Sequence, residues 1–417
     1  MTVTRRQAIV IFLAFAFAYF FSALLRAVTA TLAPVFSTEL GLRAGDLGLL
    51  AGAYFFGFAA MQLPLGRALD RYGPRRTLLV LLAVDVLGCV AFALAERLPG
   101  LIAARVLIGV GVGACLMAPL TCYRRLLSPV AQLRANSWML MTGSLGMLAS
   151  TLPVQWLLPT LGWRGLFWAV AALLALSMAG VAWLVPSDPP PGRQPPAPSA
   201  GDAVAPGGAT GSYRAIVAHP LFARMAPLAF FLYGGLIAVQ SLWAGPWLTR
   251  VAGWSAESAA QGLFLINLSM LVTFGVWGVV MPRLARRGID AVRLMTWGLP
   301  LALGLLFVNV ALADAAGALH WALWCVACTF ASVSQPAVGA AFPAHLAGRA
   351  LSAFNLVIFA GVFCVQWGIG LLIDGLRAMG LADVDAFRLA FAIFGVCCVG
   401  AYAWFLLPRR AGADNPG

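Results

Sequence analysis

The sequence predicts an all-α membrane protein with twelve transmembrane helices, arranged as two pseudo-symmetric six-helix bundles. Three observations predict it. Of 417 residues, 62% are hydrophobic and only 10% are charged, whereas soluble domains carry roughly a quarter charged residues. A soluble chain this apolar could not cover its own surface with polar groups. Apolar runs of about 18 to 25 residues recur from end to end, each long enough to cross roughly 30 Å of hydrocarbon as a helix. The arginines gather in the short segments between these runs, dense on alternate loops.

In order along the chain, the first six spans are expected near 8–32, 46–66, 77–95, 100–122, 136–158 and 164–185. The second six are expected near 222–247, 257–281, 291–313, 319–342, 350–373 and 387–407. Arg5 and Arg6 precede the first run, which is too long for a signal-peptide core and has no A-x-A site. It therefore reads as span 1. Between the two sets, residues 186–218 are expected to be a flexible linker. The stretch PSDPPPGRQPPAPSAGDAVAPGGATGS is rich in Pro, Gly, Ala and Ser and cannot bury enough apolar surface to fold. The units are then 1–185 and 219–417.

With the N-terminus on the cytoplasmic side, the cytoplasmic segments hold 18 arginines and the opposite loops six; Arg26, Arg105 and Arg224 lie inside spans. This three-to-one bias places both termini in the cytoplasm of a plasma membrane, taken to be a bacterial inner membrane. The formal net charge of +13 raises the question of nucleic acid. The basic residues sit in short loops between apolar runs, so no nucleic-acid surface is expected. All eight cysteines fall inside spans, so no disulfide framework is expected. The partners expected are the bilayer and a small-molecule substrate, with the chain a monomer.

The halves show related sequence at a constant offset of 215 residues. Leu69 and Gly73 match Leu284 and Gly288, and Arg134 with Ser137 matches Arg349 with Ser352. Such parallel repeats suit two bundles that rock about a central site. Between spans 2 and 3 lies GRALDRYGPRR, Gly66 to Arg76. This loop resembles the signature of the major facilitator superfamily: a glycine, an Asp-Arg pair, a second glycine and a basic pair. Gly73-Pro74 forces a tight hairpin. Asp70 can meet the positive end of a helix dipole, and the resemblance implies that the helix is span 11. Gly66, Asp70, Arg71, Gly73 and Arg75 would then latch one conformation and release it in the other. Ala285 stands where the second copy would carry its aspartate. The resemblance continues with Arg105 in RVLIGVGVGA and with Trp163-Arg164 at the start of span 6, and covers nearly the whole chain.

Three departures narrow the function. Drug–proton antiporters of this superfamily carry a Gly-Pro pair in span 5; here TGSLGMLASTLP, Thr142 to Pro153, has none. Its nitrate carriers place an arginine in spans 2 and 8; neither has one here. The copper-importing branch carries paired Met and His motifs in spans 7 and 8, which Met225, Asn267 and Met270 do not reproduce. No metal site is expected, and no catalytic constellation is visible.

Ionisable groups at membrane depth are costly and functional by default. Arg26 and Arg105 lie at similar depth in spans 1 and 4, which line the central cavity in the superfamily. Together they would bind an anionic group. The alternatives are snorkelling for Arg26 and hydrogen bonding to backbone for Arg105. Asp85, the one carboxylate near the middle of a span, is either a proton carrier or a fixed ion pair with Arg105. Asp46 is an alternative proton carrier or an interfacial cap. Further candidate substrate contacts are Tyr19 in span 1, Tyr233 and Gln240 in span 7, and Asn267 in span 8. Trp324 and Gln335 in span 10 and Asn355 and Gln366 in span 11 complete the set. Trp243 and Trp247 read as membrane-interface residues. The function expected is proton-coupled import of a small organic anion or zwitterion, driven by the proton gradient without a cofactor. The alternatives are efflux of hydrophobic compounds, metal import, or a membrane receptor that transports nothing.

Overall fold

The computed structural model describes residues 4–186 and 213–407. The expected linker lies outside the described residues except at its end, where Tyr213–Ala218 forms a short helix. Among the described residues there is no strand. Spans 1 to 6 are Arg5–Glu39, Ala44–Tyr72, Pro74–Leu94, Leu98–Leu126, Pro129–Ala149 and Leu152–Leu184. Spans 7 to 12 are Pro220–Val251, Ala256–Arg286, Ala291–Leu312, Ala318–Ala340, Ala344–Ala378 and Asp383–Leu406. Eleven of these are long and apolar enough over their described residues to cross a bilayer. The other, span 5, is 21 residues long and runs alongside span 1, from Gly143 beside Tyr19 to Ser150 beside Thr31.

Local chemistry explains the ends. Thr4 and Gln7 form a capping box at the start of span 1. Asp290 accepts the Arg293 backbone N–H at 2.7 Å and starts span 9. The hairpin between spans 2 and 3 turns at Gly73, whose φ of 83° only glycine adopts without strain. Pro74 follows at the first position of span 3.

The same pairs of helices pack in each set of six. Span 3 packs on spans 4 and 6, span 2 on span 4, and span 1 on span 5. Span 9 likewise packs on spans 10 and 12, span 8 on span 10, and span 7 on span 11. Large apolar side chains point outward as well as inward: Trp183 is 85% exposed and Trp297 67%. Water would penalise such a surface, whereas lipid accepts it. Trp243 and Trp247 are not in that outer layer, contrary to the sequence reading. Both are fully buried, Trp243 edge-on to Phe387 and Trp247 between Trp321 and Phe391.

The even number of spans puts Arg5 and Leu406 on one face, the terminal face, opposite the distal face. The sets meet where span 2 packs on span 11, span 1 on span 7, and spans 5 and 6 on span 8. Three helices near the centre depart from α geometry. Span 4 is interrupted at Val112 and Gly113. Span 7 contains three π-helical turns, Ala229–Tyr233, Val239–Trp243 and Trp247–Val251. Span 10 tightens to a 3₁₀ turn at Thr329–Val333, just before Gln335. Departures of this kind mark places where a helix bends or binds.

Candidate functional site

The distal face is closed by backbone contact between the two sets. A Cβ on Gly48 of span 2 would collide with the Gln366 carbonyl of span 11, and one on Gly370 with the Ala44 carbonyl. Glycine at these points is therefore what allows the helices to touch. Asp374, near the end of span 11, accepts hydrogen bonds from the first backbone N–H groups of span 2, Ala44 at 3.2 Å and Gly45 at 2.7 Å. A carboxylate at a helix N-terminus satisfies orphan donors and meets the positive end of the dipole. Arg377 lies 3.7 Å from Asp374 and is also paired with Asp383. A cavity of about 220 Å³ lies beside this contact, lined by Ser37 and Leu47 from one set and Thr249, Arg250 and Phe387 from the other.

The sequence reading missed Asp374. The expected latch, Asp70, lies near the end of span 2 and is exposed. The arrangement seen is its counterpart on the opposite face, with the same two helices in exchanged roles. Around Asp70, Gly66 is exposed, Arg71 lies over the Tyr72 ring, and Arg75 donates to the Ala182 carbonyl of span 6.

The contacts of spans 2 and 11 run inward as far as Phe58 and Phe359, whose rings meet edge to face at 4.6 Å. A central cavity of about 140 Å³ begins there. It is lined by Tyr19, Ser22 and Arg26 of span 1, Gln62 of span 2, and Val112, Gly113 and Met117 of span 4. The second set contributes Tyr233, Gln335, Asn355 and Phe359. The Arg26 guanidinium lies 5.9 Å from the Phe58 ring centroid, among the hydroxyls of Tyr19, Tyr54 and Tyr233. No carboxylate among the described residues forms an ion pair with it, and its Nε has no hydrogen-bond partner.

Five expected substrate contacts thus come together: Tyr19, Arg26, Tyr233, Gln335 and Asn355. The other five do not line the cavity. Arg105 is buried, donating to the carbonyls of Leu25 at 3.0 Å and Leu50 at 3.4 Å and to Thr29 Oγ1 at 2.8 Å. It lies over the Tyr54 ring and clips spans 1, 2 and 4 together. Gln240 donates to Asn267 at 3.0 Å, and Asn267 donates to the Leu263 carbonyl, so both serve the contact of spans 7 and 8. Gln366 donates to Ser241 at 3.0 Å, and Trp324 packs on Trp321.

The two expected proton carriers separate. Asp46 accepts the Arg43 backbone N–H at 3.0 Å and caps span 2 at the distal surface, away from the cavity. Asp85 is fully buried, and the expected ion pair with Arg105 is not formed. Its Oδ1 receives only the Cys89 thiol at 3.9 Å, and its Oδ2 has no partner. Gly111 of span 4 packs on the Asp85 backbone, and the next two residues, Val112 and Gly113, line the cavity. The interruption in span 4 is thus the partition between Asp85 and the cavity. Sequence reasoning also missed Gln62 and Tyr54. Gln62, the one amide in a run of apolar residues and one turn from Phe58, carried a readable signal.

Residues 15–365 match the Major Facilitator Superfamily. The chain belongs to that superfamily. It is a transporter and not an enzyme. Among curated relatives, it is 32% identical over 95 residues to a probable sulfoacetate transporter, SauU, of Cupriavidus necator, covering 23% of this chain and 22% of that protein. The chain thus matches under a quarter of that relative's length. It is 25% identical to a D-xylose-proton symporter-like protein of Arabidopsis thaliana, covering 88% of this chain and 80% of that one. Among solved structures, a bacterial homologue of the human lysosomal transporter Spinster, in an inward-facing and unoccupied conformation, superposes with a TM-score of 0.73. The identity is 18%, over 97% of both chains.

Proposed function

We propose that this transporter imports a small organic anion together with protons by alternating access. The observation that carries the reading is Arg26, among the described residues the one charged side chain lining the central cavity and one with no acidic partner. A guanidinium held at membrane depth without a counter-charge is incomplete, and an anionic solute completes it. Among the described residues no carboxylate lines the cavity to receive an ammonium group, which favours an anion over a zwitterion. The distal face is closed, so this is the state that exchanges solute with the terminal side. That side is the cytoplasm of an inner membrane, by the arginine bias of the loops. Asp85 carries the proton: it is the buried carboxylate nearest the cavity wall and its Oδ2 is unpaired. The energy source is the proton gradient, and no cofactor takes part. The latch assigned to Asp70 holds the opposite state. Two relatives named for an anion and for a proton-coupled solute are in keeping with this assignment.

The test is uptake into proteoliposomes. A small labelled monocarboxylate should accumulate when the outside is acid, and accumulation should collapse with a protonophore or in Arg26→Gln. Uptake that is indifferent to both, or that occurs only with lipophilic cations, would overturn the reading.

A further inference from the structure

The anion site at Arg26 belongs to the first set of spans and leaves the cavity wall supplied by the second set unassigned. There, spans 10 and 11 set two amides side by side: Gln335 Nε2–H donates to Asn355 Oδ1 at 2.6 Å. That bond uses one donor and part of one acceptor. A side-chain amide has two N–H donors and a carbonyl oxygen with two lone pairs. Whichever way the two amides are turned, the pair keeps a free N–H and a free C=O for the cavity that both residues line. Gln62 lines the same cavity, with one weak bond from its Nε2 to the Phe58 carbonyl at 3.4 Å. Among the described residues, Arg26 is the one charged side chain that lines the cavity.

We infer that the substrate is a monoanion whose far end is uncharged and both donates and accepts hydrogen bonds, a hydroxyl or an amide, read by Asn355 and Gln335. This rests on Arg26 being the anion site. A second carboxylate at the far end would be stripped of water with no cation to meet it, and an ammonium with no anion. A methyl group there would displace water from two amides and leave them unsatisfied, the mismatch that polar sites reject most strongly. The geometry also joins the halves. Arg26 belongs to the first set of spans and Asn355 to the second, so one small solute engages both only while the cavity is narrow.

Four carboxylates of equal chain length isolate the far end: butyrate, 4-hydroxybutyrate, 4-aminobutyrate and succinate, their binding to the purified protein measured by calorimetry. The expected result is that 4-hydroxybutyrate binds at least about tenfold tighter than each of the other three. In Asn355→Leu that preference should fall below about twofold, as 4-hydroxybutyrate binds more weakly and butyrate, no longer stripping water from that amide, binds more tightly. Asn355→Asp should transfer the preference to 4-aminobutyrate, a gain that a misfolded variant cannot show. Tighter binding of succinate or butyrate, or a hydroxyl preference that survives in Asn355→Leu, would overturn the assignment of the far end. Loss of the whole series, with Arg26→Gln no different from wild type, would instead overturn the anion site on which it rests.

Discussion

Replacing Asp374 by alanine should tip the conformational balance toward the state open on the distal face. Its carboxylate makes two hydrogen bonds across the halves, at 3.2 and 2.7 Å, to the first N–H groups of span 2. Its side chain is 23% exposed, so solvent screens the contact only in part. Removing an N-cap carboxylate costs about 1 kcal/mol, within a range of roughly 0.5–2, and hydrogen bonds to charged groups contribute up to about 3. A working value is ~1.5 kcal/mol. The contact exists only with the distal face closed, so that whole amount is lost from one state. The equilibrium then moves by about tenfold. Spin labels at Ser37→Cys and Thr249→Cys, which face each other across the distal cavity, read this directly in a background without the natural cysteines. The wild type should show mainly the short distance and Asp374→Ala a large long-distance population. Asp70→Asn, which weakens the opposite latch, should enrich the short one. A distance distribution unchanged in Asp374→Ala would refute the reasoning. So would a shift in the same direction for both variants.

Arg105→Ala should lower thermal stability by an amount equivalent to about 2–4 kcal/mol, because its bonds to Leu25, Leu50 and Thr29 are buried and charge-assisted. Calorimetric unfolding that is unchanged, with ligand affinity lost, would return it to the substrate site. Asp85→Asn should abolish accumulation driven by a pH gradient while leaving exchange of labelled for unlabelled solute within about twofold, since only the net cycle needs the proton to move. Loss of both activities together would remove Asp85 from the proton path. Gly48→Ala should cut transport at least tenfold, because its new Cβ meets the Gln366 backbone carbonyl. Gly275→Ala, with open space around it, serves as the control, and equal activities would show that distal closure tolerates the methyl.

Most of the architecture was readable because lipid imposes it. A span must be long, apolar and internally hydrogen-bonded, so the runs that begin at Ala8 and end at Leu407 locate the helices. Their ends were read less well. Span 1 extends to Glu39 and span 2 to Tyr72, since helices continue past the hydrocarbon where nothing in the local sequence stops them. The site was half readable. Arg26, Tyr19, Tyr233, Gln335 and Asn355 stood out as polar groups among apolar ones. So did Arg105, Gln240 and Gln366, by the same signal. Periodicity says which residues share a helix face, not which neighbour that face meets. Arg105 faces spans 1 and 2 rather than the cavity, and Gln366 faces Ser241. Asp374 was invisible for a related reason. Its partners are backbone N–H groups more than 300 residues away, and backbone groups leave no mark in a sequence.

The anion site at Arg26 is tested most directly by ligand-induced stabilisation of the purified protein, with wild type and Arg26→Gln side by side against small monoanions, zwitterions, dianions and lipophilic cations. Among the described residues Arg26 is the cavity's one charge and has no acidic partner, so monoanions should raise the unfolding temperature of the wild type and leave Arg26→Gln unmoved. Equal stabilisation of both proteins by monoanions, or stabilisation by lipophilic cations alone, would contradict it.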